Sequence, residues 1–304
     1  MTHTITVLPA STQAGREAIR SLLSDPSKPT VRGFYRDPSK APAEFAGREN
    51  FQALKADVTT GEGLDFAGSD AVFYIPPPPQ QRPEGGVAKF AIDAANKVKE
   101  ALEKAGSVKR LLVLSAMGAE HEHGIGILKI NHYSDKILQT AAPEVAIVRP
   151  GYFQENWAHA FETAKADPPV FYSVLTPLDY KIPMVSIMDV GRVSARKLLD
   201  LDTPLPKPTF IFELYGPRHY STNDVQAAVE TVLGGKKVGA VAIKREGLQA
   251  FWAEQMPAGL VEEMVEFNLS ALPGGVSAGD FAGDEHTVWG EVELVDTLRR
   301  IYTA

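Results

Sequence analysis

The chain contains no cysteine. Disulfides, thiolate metal sites and thiol nucleophiles are therefore excluded. No apolar run approaches the roughly 18–20 residues that a membrane span needs. Met1-Thr2-His3-Thr4-Ile5 carries no basic stretch leading into an apolar one, as a secretory signal would. Positive charge is in deficit: 31 Lys and Arg against 38 Asp and Glu leave a formal net charge of -7. That balance argues against a nucleic-acid-binding surface. A cytoplasmic protein with neither a nucleic-acid nor a membrane partner is expected. At 304 residues, 44% hydrophobic and 23% charged, the chain can bury a sizeable core as one large or two modest domains.

What is present in the first half is alternation. Short apolar runs at Thr4–Leu8, Thr30–Tyr35, Phe51–Lys55, Ala71–Ile75, Lys109–Leu114 and Val145–Val148 read as strands. Helical patterns at Ala14–Leu23, Val87–Ala105 and Ile127–Thr140 separate several of them. This order predicts an α/β fold, a doubly wound parallel sheet with helices on both faces. Sites in such sheets lie beyond the carboxyl ends of the strands. The second half is less regular. Met188–Leu201 reads as a helix over the sheet and Thr209–Leu214 as a last core strand. Helical patterns at Ser221–Leu233, Arg245–Gln255, Leu260–Leu272 and Glu291–Ile301, with a short strand at Val238–Ile243, suggest a smaller, mainly helical cap.

Beyond the first strand a second absence matters. A nucleotide-binding fold places a glycine-rich phosphate loop there, each glycine serving a tight turn, a close approach to pyrophosphate or close helix–strand packing. Here the segment is Pro9-Ala10-Ser11-Thr12-Gln13-Ala14-Gly15. Only Gly15, at the packing position, survives. Pro9 has no N–H, and Thr12 sets a branched side chain where pyrophosphate would come close. The helix N-terminus still offers N–H groups to a phosphate, with Ser11, Thr12 and Gln13 as further donors. Phosphate binding and a plain strand–helix turn both remain open.

Other segments carry chemistry. Arg36 is the first residue after the second strand, with Lys40 close behind. An arginine here accommodates the 2′-phosphate of NADP, an acidic residue the 2′-hydroxyl of NAD. If a dinucleotide binds, NADPH is favoured over NADH, while Asp37 keeps the second reading alive. Asp57 could accept from an adenine amino group or simply form the turn before Thr59-Thr60-Gly61. In Lys129-Ile130-Asn131-His132-Tyr133-Ser134-Asp135-Lys136, lysine, histidine and tyrosine are candidate proton donors. The reductase pair Tyr-x-x-x-Lys is missing, because Ile137 follows Tyr133 by four. A polar, non-catalytic helix face is the alternative. Glu120-His121-Glu122-His123 could hold a metal only with ligands from elsewhere, so no metal is expected. Tyr152, Phe153, Asn156 and Trp157 stand where a substrate pocket would form, or are core.

Jointly, Val31–Lys40, Ala56–Val58, Gly68–Pro77, Val108–Ser115, Ile147–Asn156, Ile182–Val190 and Tyr215–Ser221 resemble the NmrA-like family of atypical short-chain dehydrogenases/reductases. The resemblance covers nearly the whole chain. It implies a Rossmann domain over 1–152, completed by about 185–215, and a smaller substrate domain from 153–184 and 216–304. It also implies that Arg36 meets the 2′-phosphate and Asp57-Val58 the adenine, that Pro76-Pro77 line the ribose, and that Phe153 and Asn156 approach the nicotinamide. Ser115 would add to the cofactor site and Met117 to the substrate site. The family's glycine loop is Gly-x-x-Gly-x-x-Gly, with Pro9, Thr12 and Gly15 here. Related reductases carry a lysine where this chain has Asn131, with His132 next and Lys129 two residues earlier. An NADPH-dependent reductase of a quinone, enone or other conjugated carbonyl is the leading expectation. The alternatives are a redox-neutral enzyme (dehydratase, isomerase or cyclase) needing no dinucleotide, and a dinucleotide-sensing regulator with a protein partner.

Overall fold

The computed structural model of the protein describes residues 2–79 and 83–303. The strands of the first half are β1 (Thr4–Leu8), β2 (Thr30–Tyr35), β3 (Phe51–Lys55), β4 (Ala71–Tyr74), β5 (Arg110–Leu114) and β6 (Glu144–Pro150). The helices among them are α1 (Gln13–Leu23), a short α2 (Ala43–Ala46), α3 (Gly86–Ala105) and α4 (Lys129–Leu138). There follow β7 (Tyr152–Phe153), α5 (His159–Thr163), β8 (Val170–Ser173), β9 (Ile182–Val185), α6 (Ile187–Leu199) and β10 (Thr209–Tyr215). The chain then forms β11 (His219–Tyr220), α7 (Thr222–Val232), β12 (Gly239–Ala242), α8 (Leu248–Gln255), α9 (Val261–Ala271), β13 (Val288–Trp289) and α10 (Leu294–Thr303).

The main sheet has eight strands in the order β13-β10-β6-β5-β4-β1-β2-β3, every neighbouring pair parallel. The chain runs outward from β1 through β2 to β3, then returns and runs the other way from β4. The strand order therefore reverses between β1 and β4, the place where such sheets bind ligands. Strands buried on both faces need apolar side chains in both directions, as Ala71-Val72-Phe73-Tyr74 and Leu111-Leu112-Val113-Leu114 supply. One core lies between the sheet and α1 and α6, from Ile5, Val7, Ala18, Ile19, Phe73, Val190 and Leu198. Another joins the opposite face to α3 and α4, from Val72, Ala94, Val98, Leu111 and Leu138. A third lies outside the main sheet, around Trp157, Phe171, Met184, Tyr220, Val229 and Leu298.

Glycine sets two close approaches. A Cβ on Gly15 would lie 2.7 Å from the Pro9 carbonyl oxygen and 2.8 Å from Thr12 Oγ1. One on Gly191 in α6 would lie 2.5 Å from the backbone of Glu17 in α1. So α1 sits flush on the turn before it and on its neighbour helix. The most buried cation, Arg110, is fully satisfied: Glu144 takes Nε at 2.9 Å, and the carbonyls of Lys197, Asp200 and Thr203 take the other donors. This ties the amino ends of β5 and β6 to the tail of α6, away from the ligand-binding edge.

The cap is mainly helical, with α5, α7, α8, α9 and α10, but it holds more strand than the one short run expected. It carries a three-stranded sheet, β11-β9-β7, and a two-stranded one, β12-β8. Strands of two to four residues are too short to show a period. β13 also joins the main sheet unannounced, held by Asp189, whose carboxylate accepts from the backbone N–H groups of Glu291 and Val292 at 3.0 and 2.9 Å. The expected helix over 127–140 is instead a 3-10 turn at Gly126–Leu128 followed by α4. Among the described residues no helix is long and apolar enough to cross a membrane.

Gly15→Ala should lower stability by about 1–3 kcal/mol, the cost of overpacking a tight contact, even though alanine is the better helix former. Urea denaturation checks this. An unchanged midpoint would show that the turn relaxes freely around the added methyl.

Candidate active site

Past the carboxyl ends of the strands lies a cleft in two joined parts. The first, of about 420 Å³, is walled by Ser11, Phe34, Arg36, Ala56, Asp57, Val58, Thr59 and Pro77. The second, of about 390 Å³, is walled by Gln13, Ile75, Pro76, Ser115, Met117, Asn131, Tyr152, Phe153 and Asn156. Thr12 and Pro78 belong to both, so the N-terminus of α1 stands at the junction.

The junction is built by Thr12. Its backbone is extended, with φ -67° and ψ 157°, so no glycine is needed there. Its hydroxyl donates to the Pro9 carbonyl and accepts from the Gly15 N–H, both at 3.0 Å. Thr12 is thus the N-cap of α1, and its Oγ1 is turned back into the turn. The expectation that Thr12 crowds a pyrophosphate is corrected to that extent. The Gly15 N–H is taken by the cap. The N–H groups of Gln13 and Ala14, in the first turn, have no partner inside the helix.

In the first part, Arg36 is exposed on the wall, while Lys40 lies in an exposed 3-10 turn that does not line the cleft. Asp57 forms the turn that was one of its two readings, and it also stands on the cleft wall. It lines the cleft and its Oδ1 accepts from the Thr59 N–H at 2.8 Å and the Thr59 hydroxyl at 2.6 Å. Burial pulls its carboxyl up, but these bonds, with Arg36 nearby, outweigh burial and hold its pKa below the usual aspartate value.

In the second part, Ser115 directly follows β5 and is almost fully buried. Its Oγ donates to Asp135 Oδ2 at 2.7 Å. Asn131 lines the same wall, its amide 3.4 Å from the Leu114 carbonyl. Tyr152 stands between this part and a third, neighbouring cavity, and burial pushes its phenol up to about 12. That cavity, of about 570 Å³, is walled by Trp157, Tyr172, Phe251, Trp252, Phe267 and other residues, and shares Tyr152, Asn156, Ile182, Phe267 and Ala271 with the second. Trp157 therefore faces the third cavity and not the second, packed edge-on against Phe171.

The three candidate proton donors on α4 are not brought to the cleft. Lys129 Nζ pairs with Glu263 at 3.0 Å and Glu266 at 3.3 Å, both on α9. Burial pulls its ammonium down, but the two carboxylates outweigh burial and hold its pKa above the usual lysine value. α9 reaches Lys129 because Gly126 has no side chain: a Cβ there would lie 1.9 Å from the Glu263 carbonyl oxygen. His132 turns its Nδ1 to the Ala119 carbonyl at 2.9 Å. Tyr133 packs edge-on against His132 and is also outside the cleft lining. The helix turns these side chains away while Asn131 faces in. Of the Glu120–His123 segment, Glu120 pairs with Arg149 at 3.2 Å. No group of three or more His, Asp or Glu among the described residues is arranged to hold a metal. Residues not singled out from sequence, Ile182, Phe267, Ala271 and Ser277, complete the second part. The apolar face of the 260–272 pattern was the signal for Phe267 and Ala271, but nothing in it says which face meets the cleft.

A family model described as NAD(P)H-binding matches residues 10–177, more than half of the chain. The chain belongs to this NAD(P)H-binding family. Its fold is shared with NmrA and with solved NADP(H)-bound reductases. The NADP(H) complex of Citrobacter sp. triphenylmethane reductase superposes with a TM-score of 0.75, covering 99% of this chain and 100% of that one at 16% identity. The NADPH complex of an Escherichia coli NADPH-dependent quinone oxidoreductase gives 0.73, covering 98% and 99% at 19% identity. NmrA, a negative transcriptional regulator in complex with NADP, gives 0.67, covering 99% and 91% at 15% identity. At such identities the likeness is one of fold. In sequence, 144 residues are 26% identical to the mitochondrial NADH-ubiquinone oxidoreductase 40 kDa subunit of Neurospora crassa, over 46% of this chain. The matched stretch spans only about a third of that relative's length, 35%.

The residues present fit a nicotinamide dinucleotide. The cleft is long and two-part, a helix N-terminus with unclaimed N–H groups stands at its waist, and a cation stands at one end. Lys129→Met should cost about 1 kcal/mol or less, as for a partly exposed ion pair, and leave dinucleotide affinity within about twofold. Calorimetry on the folded variant checks this. A large loss of affinity would place Lys129 in contact with the cofactor.

Proposed function

We propose that the protein is an NADPH-dependent reductase of a conjugated carbonyl compound, a quinone or an enone. The observation that carries this reading is the join between the second part of the cleft and the aromatic third cavity. A dinucleotide along the first two parts would leave the third for the body of a flat, apolar acceptor.

In this reading Arg36 holds the 2′-phosphate, which favours NADPH over NADH. Val58 and Pro77 flank the adenosine, with Asp57 accepting from the base. The α1 N-terminus, through the Gln13 and Ala14 N–H groups, holds the pyrophosphate. Pro76, Phe153 and Asn156 bound the nicotinamide, which supplies a hydride when bound. Residues 153–184 and 216–304, apart from β13, which joins the main sheet, form the substrate domain. Trp157, Phe251, Trp252 and Phe267 exclude water around the acceptor, which strengthens every polar contact made to it. Asn131 and Ser115, two of the polar residues on the wall, face the acceptor oxygen.

A sensing role is the second reading. The commitment of Lys129 to α9 favours it, since binding without turnover needs no proton donor in the cleft. The two separate on titration with NADPH and NADH, followed by a panel of quinones and enones. Binding with consumption of NADPH supports the reductase. Binding without turnover of any panel member supports the sensor. No binding of either dinucleotide overturns both and returns the redox-neutral alternative.

Arg36→Ala should weaken NADPH about tenfold, the worth of one exposed charge-assisted contact, and NADH hardly at all. Equal losses for the two would remove Arg36 from the 2′-phosphate.

A further inference from the structure

The buried carboxylate at the edge of the cleft has no part in the reading above. Asp135 in α4 is 7% exposed. Its Oδ2 accepts from Ser115 Oγ at 2.7 Å and lies 3.3 Å from Arg149 Nη2. Its Oδ1 is buried with no hydrogen-bond partner among the described residues. Ser115 Oγ makes no other hydrogen bond among the described residues, and Ser115 lines the second part of the cleft.

We propose that Asp135 is a gate that sets whether Ser115 offers the cleft a hydrogen-bond donor or only an acceptor. With Asp135 ionised, the Ser115 O–H donates to Oδ2, and only lone pairs remain for the cleft. With Asp135 neutral, a proton on Oδ2 donates to Ser115 Oγ, whereas a proton on Oδ1 would be buried without a partner among the described residues. The Ser115 O–H is then released toward the cleft and can donate to a carbonyl oxygen. The inference rests on the carbonyl-reductase reading for the identity of that oxygen. In this role Asp135 is a positioning residue, acting through Ser115.

The surroundings allow both states. Burial is the main influence and pushes the Asp135 carboxyl up to about 6, against the Ser115 hydrogen bond and the charge of Arg149, with Glu120 adding to the rise. Arg149 comes from β6 and Glu120 from the loop after β5. Glu120 lies 3.2 Å from Arg149, so the guanidinium keeps a partner when Asp135 is neutral. The inward face of α3, packed along α4, is apolar: Val87, Ala91, Ala94, Ala95 and Val98. Tyr74 of β4 presents a phenol that burial keeps protonated. On α4 itself, Lys136 is exposed and Lys129 is held by α9. The neutral form is favoured below the Asp135 pKa, so the donor state belongs to the acid side and the acceptor state to the alkaline side.

Two probes of one shape read the gate without cofactor or turnover. 1,4-Naphthoquinone offers only acceptor oxygens, and 1-naphthol offers a donor. With no cysteine in the chain, the quinone meets no thiol. Their affinities for the purified protein are measured by calorimetry from pH 5 to pH 8. The ratio of quinone to naphthol affinity should fall about five- to tenfold as the pH rises through about 6, the worth of one hydrogen bond gained or lost. In Asp135→Asn the ratio should be independent of pH. In Ser115→Ala it should also be flat, which covers the case of an Asn variant that does not fold. A wild-type ratio that does not move with pH overturns the gate, as does a pH dependence that survives in either folded variant. If the ratio behaves as stated while the reductase panel fails, the gate stands and the reaction assigned to the cleft falls. If the panel succeeds with a flat ratio, the reaction stands and the gate falls.

Discussion

The cleft depends on how closely α1 lies against the turn that delivers it. Gly15 is the condition for that approach, since any side chain would meet the Pro9 carbonyl and Thr12 Oγ1. Gly191 is the matching condition on the far side, where α6 meets Glu17. With both, the N-terminus of α1 is held at the waist of the cleft. Its dipole and free N–H groups then face the space between the two cavities. Without them α1 would stand off, and the cavities would join through an open gap in place of a narrow waist.

This geometry explains how the turn works with one glycine. A loop glycine is indispensable where φ is positive or where backbone must pass close to backbone. Thr12 meets neither condition, since its backbone is extended. Its branched side chain is spent inside the turn, as an N-cap, at the expense of one N–H that a phosphate could have used. The difference from a Gly-x-x-Gly-x-x-Gly loop is thus a change in the number of free donors at the waist, with the helix direction kept.

The strands of the main sheet, β13 apart, were legible as short apolar runs set off by helical patterns and turn residues. β1, β2 and β3 have the bounds read from sequence. Arg36, Asp57, Val58, Pro76, Pro77 and Ser115 could be placed because residues just past a parallel strand must fall at one edge of the sheet. The α4 side chains could not be placed the same way. Helical spacing says that Asn131 and Asp135 share a face, but which face meets the cleft is decided by α9, more than 120 residues further along. Lys129 shows the cost of that ignorance: its partners Glu263 and Glu266 carry no signal pointing back to it. The small strands β7, β9 and β11 were missed for the reason that they pair only through long-range contacts.

One cluster shows why the cleft and the second half must form together. Glu155 follows β7 and is largely buried. Its carboxylate accepts from the Ser186 hydroxyl and the Ile187 N–H at the start of α6, and from Arg300 of α10 at 2.9 Å. Arg300 in turn reaches Glu17 of α1 at 3.1 Å. A half-buried chain of alternating charges therefore links α1, which sets the waist, to α6, which covers the sheet, and to α10, which closes the third core. Breaking such a chain at one member leaves an unpaired buried charge, which costs more than the pair gained. The waist of the cleft and the wall carrying Phe153 and Asn156 are thus coupled through side chains that touch neither cavity. A change in the seating of α10 would reach the cleft through Arg300, Glu17 and Glu155, none of which lines it, as well as through the core it shares with Trp157.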